Sequence, residues 1–307
     1  MKSSSKPIVL TYAQKCKNIL VSNWQGQLHT IKADAKGSRN KRSCIAYLAV
    51  TRRTILYQSA IASFFMVNTI IDERSSFSVT NPFPGPLASL LRSIKKLPTR
   101  VALTGDLVPL KDEKVEYLAE SVRKTIFSEQ KAISEASYSV SGVLTSSVNC
   151  MSRSENLQDV LDGSDPYVVY KFDIRSCTYV DGIGVDHEVE RDDIVASKAD
   201  LLSPCYAKLI DGFNQSQPRR RALMLFCFVY MNVNARDALM LSVDRKGFDV
   251  IGKVPSLTTK DEFGEYEWRE YRFTFKEEAN DMETFCRLLV EMEEEALKKV
   301  QIYSGIG

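Results

Sequence analysis

An α+β fold is predicted by three features of the chain: helical periodicity towards its ends, two-residue periodicity in its middle, and turn signals between the apolar runs. The expected architecture is a helical N-terminal part, a central, largely antiparallel sheet over about 165–276, and a C-terminal helix over about 281–302 packed on that sheet. With 307 residues, 44% hydrophobic and 26% charged, the chain can bury a sizeable core without disulfides or metals. Residues 1–86 are expected as a basic, mainly helical region and 87–307 as an α+β domain. The boundary falls at Asn81-Pro82-Phe83-Pro84-Gly85-Pro86, where prolines and a glycine stop regular structure.

In chain order, Ala13–Val21 reads as a short helix and Asn23-Trp24-Gln25-Gly26 as a turn. Lys36 to Arg42 is polar, aperiodic and contains Gly37, so it reads as an exposed loop. A long apolar helix is expected from about Ala46 to Ile71. Within it, Thr54–Ile71 runs eighteen residues without a charge. That length falls short of the about twenty apolar residues of a membrane span, so a buried or partner-binding helix is expected and no transmembrane segment. Lys111–Ser134 is a helix with Val115, Leu118, Val122, Ile126 and Ile133 on one face. Ser137–Ser154, rich in serine and interrupted by Gly142, reads as an irregular connection or weak strands.

From Tyr167 the period changes to two. Val168, Tyr170, Phe172 and Ile174 alternate with Lys171, Asp173 and Arg175, as on a half-buried strand. Asp181-Gly182 then signals a hairpin with a type I′ turn. Ala199–Phe213 is expected as a short helix broken by Pro204. Ala222–Met231 is ten apolar residues in a row and reads as a central strand buried on both faces. Ala238–Val243 and Phe248–Val254 continue the sheet. In Glu265–Lys276 a bulge near Arg269-Glu270 is needed to bring Tyr266, Trp268, Tyr271, Phe273 and Phe275 to one face. In the closing helix, Met282, Phe285, Leu289, Met292 and Ala296 recur at three and four residues.

The net charge of +2 hides an asymmetry. Met1–Ile55 holds eleven Lys/Arg against the single acid Asp34, whereas Asp261–Glu295 holds thirteen acids against four bases. Seven dispersed cysteines without a CxxC pair read as reduced thiols of an intracellular protein, cytoplasmic or nuclear. With only His29 and His187, the sequence has no zinc-type histidine cluster, and it lacks phosphate-cradling glycine loops and nucleophile elbows. No cofactor, metal or catalytic residue is therefore expected.

The basic residues Lys36, Arg39, Lys41, Arg42, Arg52, Arg53, Arg219, Arg220 and Arg221 are expected to converge on RNA or single-stranded DNA, with Tyr12, Trp24 and Tyr47 free to stack on unpaired bases. The acidic helix would mediate self-association or hold a protein partner. This describes a structural or transport protein of the viral nucleocapsid, matrix or movement kind. Two alternatives stand beside it. One is a metal-dependent nuclease built on Asp165, the acidic segment Asp181–Asp193 and Lys246. The other is a protein-only scaffold whose oppositely charged ends dock head to tail.

Overall fold

The computed structural model describes residues 9–33, 39–50, 54–59, 74–81, 83–110, 112–162, 167–256 and 265–303. The fold is α+β with antiparallel sheets, and a C-terminal helix closes it.

Helix α1 (Tyr12–Ser22) leads into a seven-stranded sheet made of β1 (Gln25–Ala33), β2 (Arg39–Val50), β3 (Thr54–Ser59), β4 (Arg74–Thr80), β5 (Arg100–Pro109), β6 (Tyr167–Val180) and β7 (Asp186–Val189). The order is β3-β2-β1-β4-β5-β6-β7, and β3 also pairs with β6. That last pairing closes six strands into a barrel, which removes the sheet edges that would otherwise present unpaired backbone groups. The long strand β6 serves two neighbours: Tyr167–Lys171 pair with β3, and Cys177–Val180 pair with β7. Between those stretches the register against β5 slips at Arg175, so Tyr170 and Phe172 point into the core before the slip, and Cys177 and Tyr179 after it. The slip sits opposite Gly105, where a Cβ would collide with the Asp173 carbonyl oxygen. Leu28, Phe77, Val101, Leu103 and Phe172 fill the barrel, and α1 plugs it with Ala13, Cys16, Ile19 and Leu20.

Helices α3 (Asp112–Ser134) and α5 (Arg153–Asp162) separate β5 from β6 in sequence and pack on each other and on Val169. The second large core lies in the C-terminal half. The strands β8 (Asp237–Asp244), β9 (Gly247–Pro255) and β10 (Tyr266–Thr274) form an open antiparallel sheet in the order β10-β9-β8. Around it stand α2 (Gly85–Ser93), α4 (Tyr138–Leu144), α7 (Tyr206–Gln215), α8 (Gln217–Met231) and α9 (Met282–Tyr303), with the short α6 (Arg191–Ala196) preceding α7. Phe226 touches the rings of Phe248 and Phe273, and Phe285 meets Phe213 and Phe275 edge-on. Each fully buried Phe of this kind contributes about 1.5–3 kcal/mol.

The helices expected over 13–21, 111–134 and 281–302 and the strands at 167, 238–243 and 248–254 all form. Several expectations need correction. The N-terminal region is not mainly helical: after α1 it supplies β1 to β4. The long apolar helix expected over 46–71 is strand β2 up to Val50 and strand β3 over Thr54–Ser59, and residues 60–73 lie outside the described residues. The run Cys44–Val50 is apolar without a break, so its sequence shows no two-residue period. Arg39 to Arg42, expected in a loop, begin β2.

Ala222–Met231 is helix α8, not a strand. Pro218 fits its first turn, Asn232 ends it in the left-handed region at φ 55°, and only Leu223, Phe226 and Cys227, at helical spacing, are buried. Ser137–Ser154 contains α4, capped by the Ser137 hydroxyl, and the start of α5. No bulge interrupts β10, whose pairing with β9 runs without a shift, so Tyr266 and Trp268 lie on the face opposite Tyr271 and Phe273. The irregularity is in β8, at Leu241. Among the described residues, no helix is long and apolar enough to cross a membrane.

Candidate functional site: a tyrosine–histidine cluster between two clefts

Helix α1 starts with a reciprocal cap. The Thr11 hydroxyl accepts from the Gln14 amide at 3.3 Å, and the Gln14 side chain accepts from the Thr11 amide at 3.1 Å. This fixes Tyr12 in the first turn, facing the β6–β7 hairpin. The Tyr12 ring stacks on His187 of β7, with centroids 4.2 Å apart and planes at 15°, and on Tyr179 of β6 at 5.4 Å. Lys15, one turn further on, holds its ammonium 5.5 Å from the Tyr12 ring and 5.7 Å from the Tyr179 ring.

The hairpin turn itself is built by Asp181. One carboxylate oxygen accepts from the amides of Ile183 (3.0 Å) and Val185 (2.9 Å). The other lies 3.1 Å from His187 Nε2. The turn takes its positive φ at Gly184 (88°) and not at Gly182, so it is longer than the type I′ turn expected from Asp-Gly. The His187 hydrogen bond, aided by the two amides, holds Asp181 below the usual carboxylate range. Burial pushes the Tyr179 hydroxyl up, which keeps it protonated.

This cluster forms the wall between two clefts. One, of about 810 Å³, lies beside Tyr12, Val189, Ala196 and Ala279, with Lys198 and Arg245 facing Glu188, Glu190, Asp193 and Glu278. The other, of about 420 Å³, runs between the barrel and the C-terminal sheet, from Lys15 and Tyr179 to Leu241, Val243 and Asp249. Its far wall is a charge network: Arg272 binds Asp244 at 2.7 Å and Asp249 at 3.4 Å, and Lys96 pairs with Glu270. Burial lowers the Lys96 ammonium, against the pull of Asp249 and Asp181. Burial raises Asp244 despite its arginine. On the floor, Asn81 donates to the Tyr206 hydroxyl at 3.0 Å.

Of the basic residues expected to bind nucleic acid, the side chains of Arg219, Arg220 and Arg221 are described. Lys36, Arg52 and Arg53 lie outside the described residues, and Arg39, Lys41 and Arg42 belong to barrel strand β2. Arg219, Arg220 and Arg221 open α8 in the other half. Arg219 is used internally, donating to the carbonyls of Gly142 (2.8 Å) and Gly212 (2.9 Å) and to the Ser146 hydroxyl (3.1 Å). Arg220 pairs with Asp237, which leaves Arg221 alone exposed. Tyr12 does stack, but on His187.

Among the described residues, the nuclease candidates are not placed as a metal site. Asp181 is committed to His187 and its own turn, and Asp244 to Arg272. Asp165 lies outside the described residues, among which no group of three or more acidic, His or Cys side chains is placed to hold a metal. The apolar seam of α9 packs within its own chain, as expected of a helix laid on the sheet, with Phe285 and Ala296 0% exposed. Its acids find local cations: Glu295 pairs with Lys276 and Lys299, and Glu291 with Arg287.

No family model matches the chain, and no curated protein matches its sequence. Solved structures do match. A heme-binding protein from Mycobacterium smegmatis aligns over 95% of this chain and 99% of its own, with TM-score 0.54 and 17% identity. A protein of unknown function from Agrobacterium tumefaciens aligns over 94% and 100% (TM-score 0.37, 11% identity), and the heme storage protein HutZ from Vibrio cholerae over 57% and 99% (0.34, 11%). The last two are too distant to carry an argument. The mycobacterial likeness, together with the internal use of Arg219 and Arg220, overturns the expectation of a viral RNA- or DNA-coating protein and of nucleic acid as partner. Along almost its whole length, barrel and C-terminal half alike, this chain has the fold of that bacterial heme-binding protein.

Proposed function

We propose that this protein binds a heme-type tetrapyrrole, with His187 as the iron ligand and Asp181 as the carboxylate that orients it. The observation that carries the reading is the Asp181–His187–Tyr12 arrangement. Histidines that ligate metals usually give their second ring nitrogen to a carboxylate or carbonyl, which fixes the tautomer and the ring plane. Here Asp181 engages Nε2 and Tyr12 holds the ring face, so Nδ1, which has no hydrogen-bond partner among the described residues, is the nitrogen left for iron. The likeness in fold to a heme-binding protein supports the same reading.

The residues present fit the group. A cleft of about 810 Å³, within the usual range for a cofactor site, is lined by Tyr12, which stacks on His187, and by the next residue of β7, Glu188. Ala13, Val189, Ala196 and Ala199 offer apolar contact, and Lys198 offers a cation for a propionate. Bound heme would supply an iron centre that an imidazole nitrogen could ligate. Glu188, Glu190, Asp193 and Glu278 oppose the propionates, so affinity is expected to rise with ionic strength as that repulsion is screened. An intracellular setting is part of the proposal, supported by free thiols at Cys16, Cys150, Cys177, Cys205, Cys227 and Cys286.

The test is a hemin titration followed by the Soret band. His187→Ala is expected to lose the ligated spectrum, and Asp181→Asn to weaken binding about 10-fold or more, as loss of an outer-shell partner does. His29→Ala is the control and should behave as wild type. An unchanged spectrum and affinity in His187→Ala would remove the histidine, and with it this reading.

A further inference from the structure

Cys16 on α1 and Cys177 on β6 meet inside the barrel core, their sulfurs 3.7 Å apart and their residues 0% and 2% exposed. At that separation the sulfurs touch without bonding. A disulfide of about 2.05 Å would need them to approach by about 1.7 Å. The pair is placed where such a movement matters. Cys16 follows Lys15 and lies one turn beyond Tyr12, and Cys177 precedes Tyr179 on the same face of β6. The bond would therefore join two of the three elements that carry the tyrosine–histidine cluster, α1 and β6.

We propose that Cys16 and Cys177 form a peroxide-driven latch, a disulfide that pins α1 to the barrel wall and fixes Tyr12 and Lys15 against β6. The step balances with hydrogen peroxide as oxidant. The Cys177 thiolate attacks one peroxide oxygen and the O–O bond breaks, giving a sulfenic acid and, after proton transfer, water. The Cys16 sulfur then attacks the Cys177 sulfur, the S–O bond breaks, and the oxygen leaves as a second water. Two thiols are oxidised and one peroxide is reduced. The pair stands apart from the other buried thiols. Its shared hydrogen bond pulls Cys177 below an ordinary thiol and raises Cys16. Burial instead pushes Cys205 up to about 12, and Cys227 and Cys286 up to about 11. Those three keep their protons and react slowly. Peroxide, close to water in size, enters when α1 opens locally.

The experiment treats reduced, full-length protein with hydrogen peroxide, alkylates it with iodoacetamide under denaturing conditions, and maps the peptides without reduction. The expected result is a Cys16–Cys177 linked pair lacking two hydrogens, reversed by dithiothreitol, with a melting temperature higher by roughly 5 °C in the oxidised protein. Cys177→Ser should leave Cys16 unlinked. Should that variant fail to fold, the wild-type map and its reversal still decide. Recovery of both cysteines as free thiols or as sulfinic acids, or links to other cysteines in their place, overturns the latch. Its effect on ligand rests on the heme reading: hemin release is expected to slow roughly tenfold after oxidation, as pre-organisation implies. A linked pair with no hemin binding in either state sinks the ligand reading and supports the latch, whereas hemin binding without the link sinks the latch alone.

Discussion

The barrel and the C-terminal half solve the same problem, satisfying buried polar groups, in different ways. The barrel returns its backbone hydrogen bonds to itself through the β3–β6 pairing, and among the described residues its core cluster is made of apolar side chains, two tyrosines and two thiols. The C-terminal sheet has three strands and stays open, so its edges, turns and helix ends need side-chain partners. Arginines supply them. Arg272 bridges Asp244 and Asp249, Arg245 links Asp200 to Glu278, Arg220 holds Asp237, and Arg219 caps carbonyls of two helices. A closed sheet needs few charges inside, whereas an open one of this size depends on them.

Three perturbations sharpen or break that contrast, beginning with the largest. Phe248→Ala removes a ring that is 0% exposed and packed against Phe226, Phe273 and Phe275, and is expected to cost about 3–5 kcal/mol. Phe77→Ala does the same in the barrel. Because Asn81–Tyr206, Asn18–Asp200 and Lys96–Glu270 tie the halves together, both variants should lower one shared unfolding transition in calorimetry. Two transitions, each moved by only one variant, would show halves that fold independently.

Of similar size is Arg272→Met, which strands the buried Asp244 carboxylate and is expected to cost about 3–5 kcal/mol, with most of it recovered in Arg272→Met/Asp244→Leu. The pH dependence has a definite sign. Asp244 binds its proton more tightly in the folded protein than in the unfolded chain, so its contribution is most favourable below the ordinary Asp value and is lost as pH rises through the folded value. Urea melts of Arg272→Met should therefore approach wild type on acidification. A deficit that is constant with pH would mean that the arginine acts by packing alone.

Glu295→Gln should do least. Lys276 and Lys299 hold the Glu295 carboxyl at about 2, and this depressed value contributes stability above the ordinary Glu range that is lost only as pH falls through about 2. The site is solvated, so thermal melts near neutrality should barely change, and 1 M salt should erase the difference. A large loss would show that charge pairing matters as much on the surface as in the Arg272 network.

Much of the fold was legible where one face of an element meets water. Val122 and Ile126 in α3, Phe285 and Leu289 in α9, and Tyr170 and Phe172 in β6 keep their period because polar residues separate them. It was illegible where burial or uniform composition erased the period. Ala46–Val50 is apolar throughout and read as the start of a helix, yet it lies in β2, and Ala222–Met231 read as strand, yet it forms α8. Ten apolar residues fit either geometry. Pro218 and Asn232, at the two ends of α8, were the signals that separated them. For the site, the Asp-Gly hairpin, the acids around His187 and the stacking capacity of Tyr12 were all visible. Their meeting was not, because Tyr12 and His187 are brought together only by α1 docking on the β6–β7 hairpin.

The pairing of β3 with β6 also sets a timetable for the chain as it is made. Strands β1 to β5 leave the ribosome first, but the barrel cannot close until residues 167–171 appear. Helices α3, α4 and α5 occupy the interval between β5 and β6. At about 5–20 residues per second, synthesis of that interval takes several seconds, during which the nascent barrel has open edges. Closure by strands so far apart in sequence is itself slow, because the chain entropy is lost before the contacts form. Chaperone demand and aggregation during expression should therefore depend on how soon β6 follows β5, and shortening the helical interval is the change most apt to ease both.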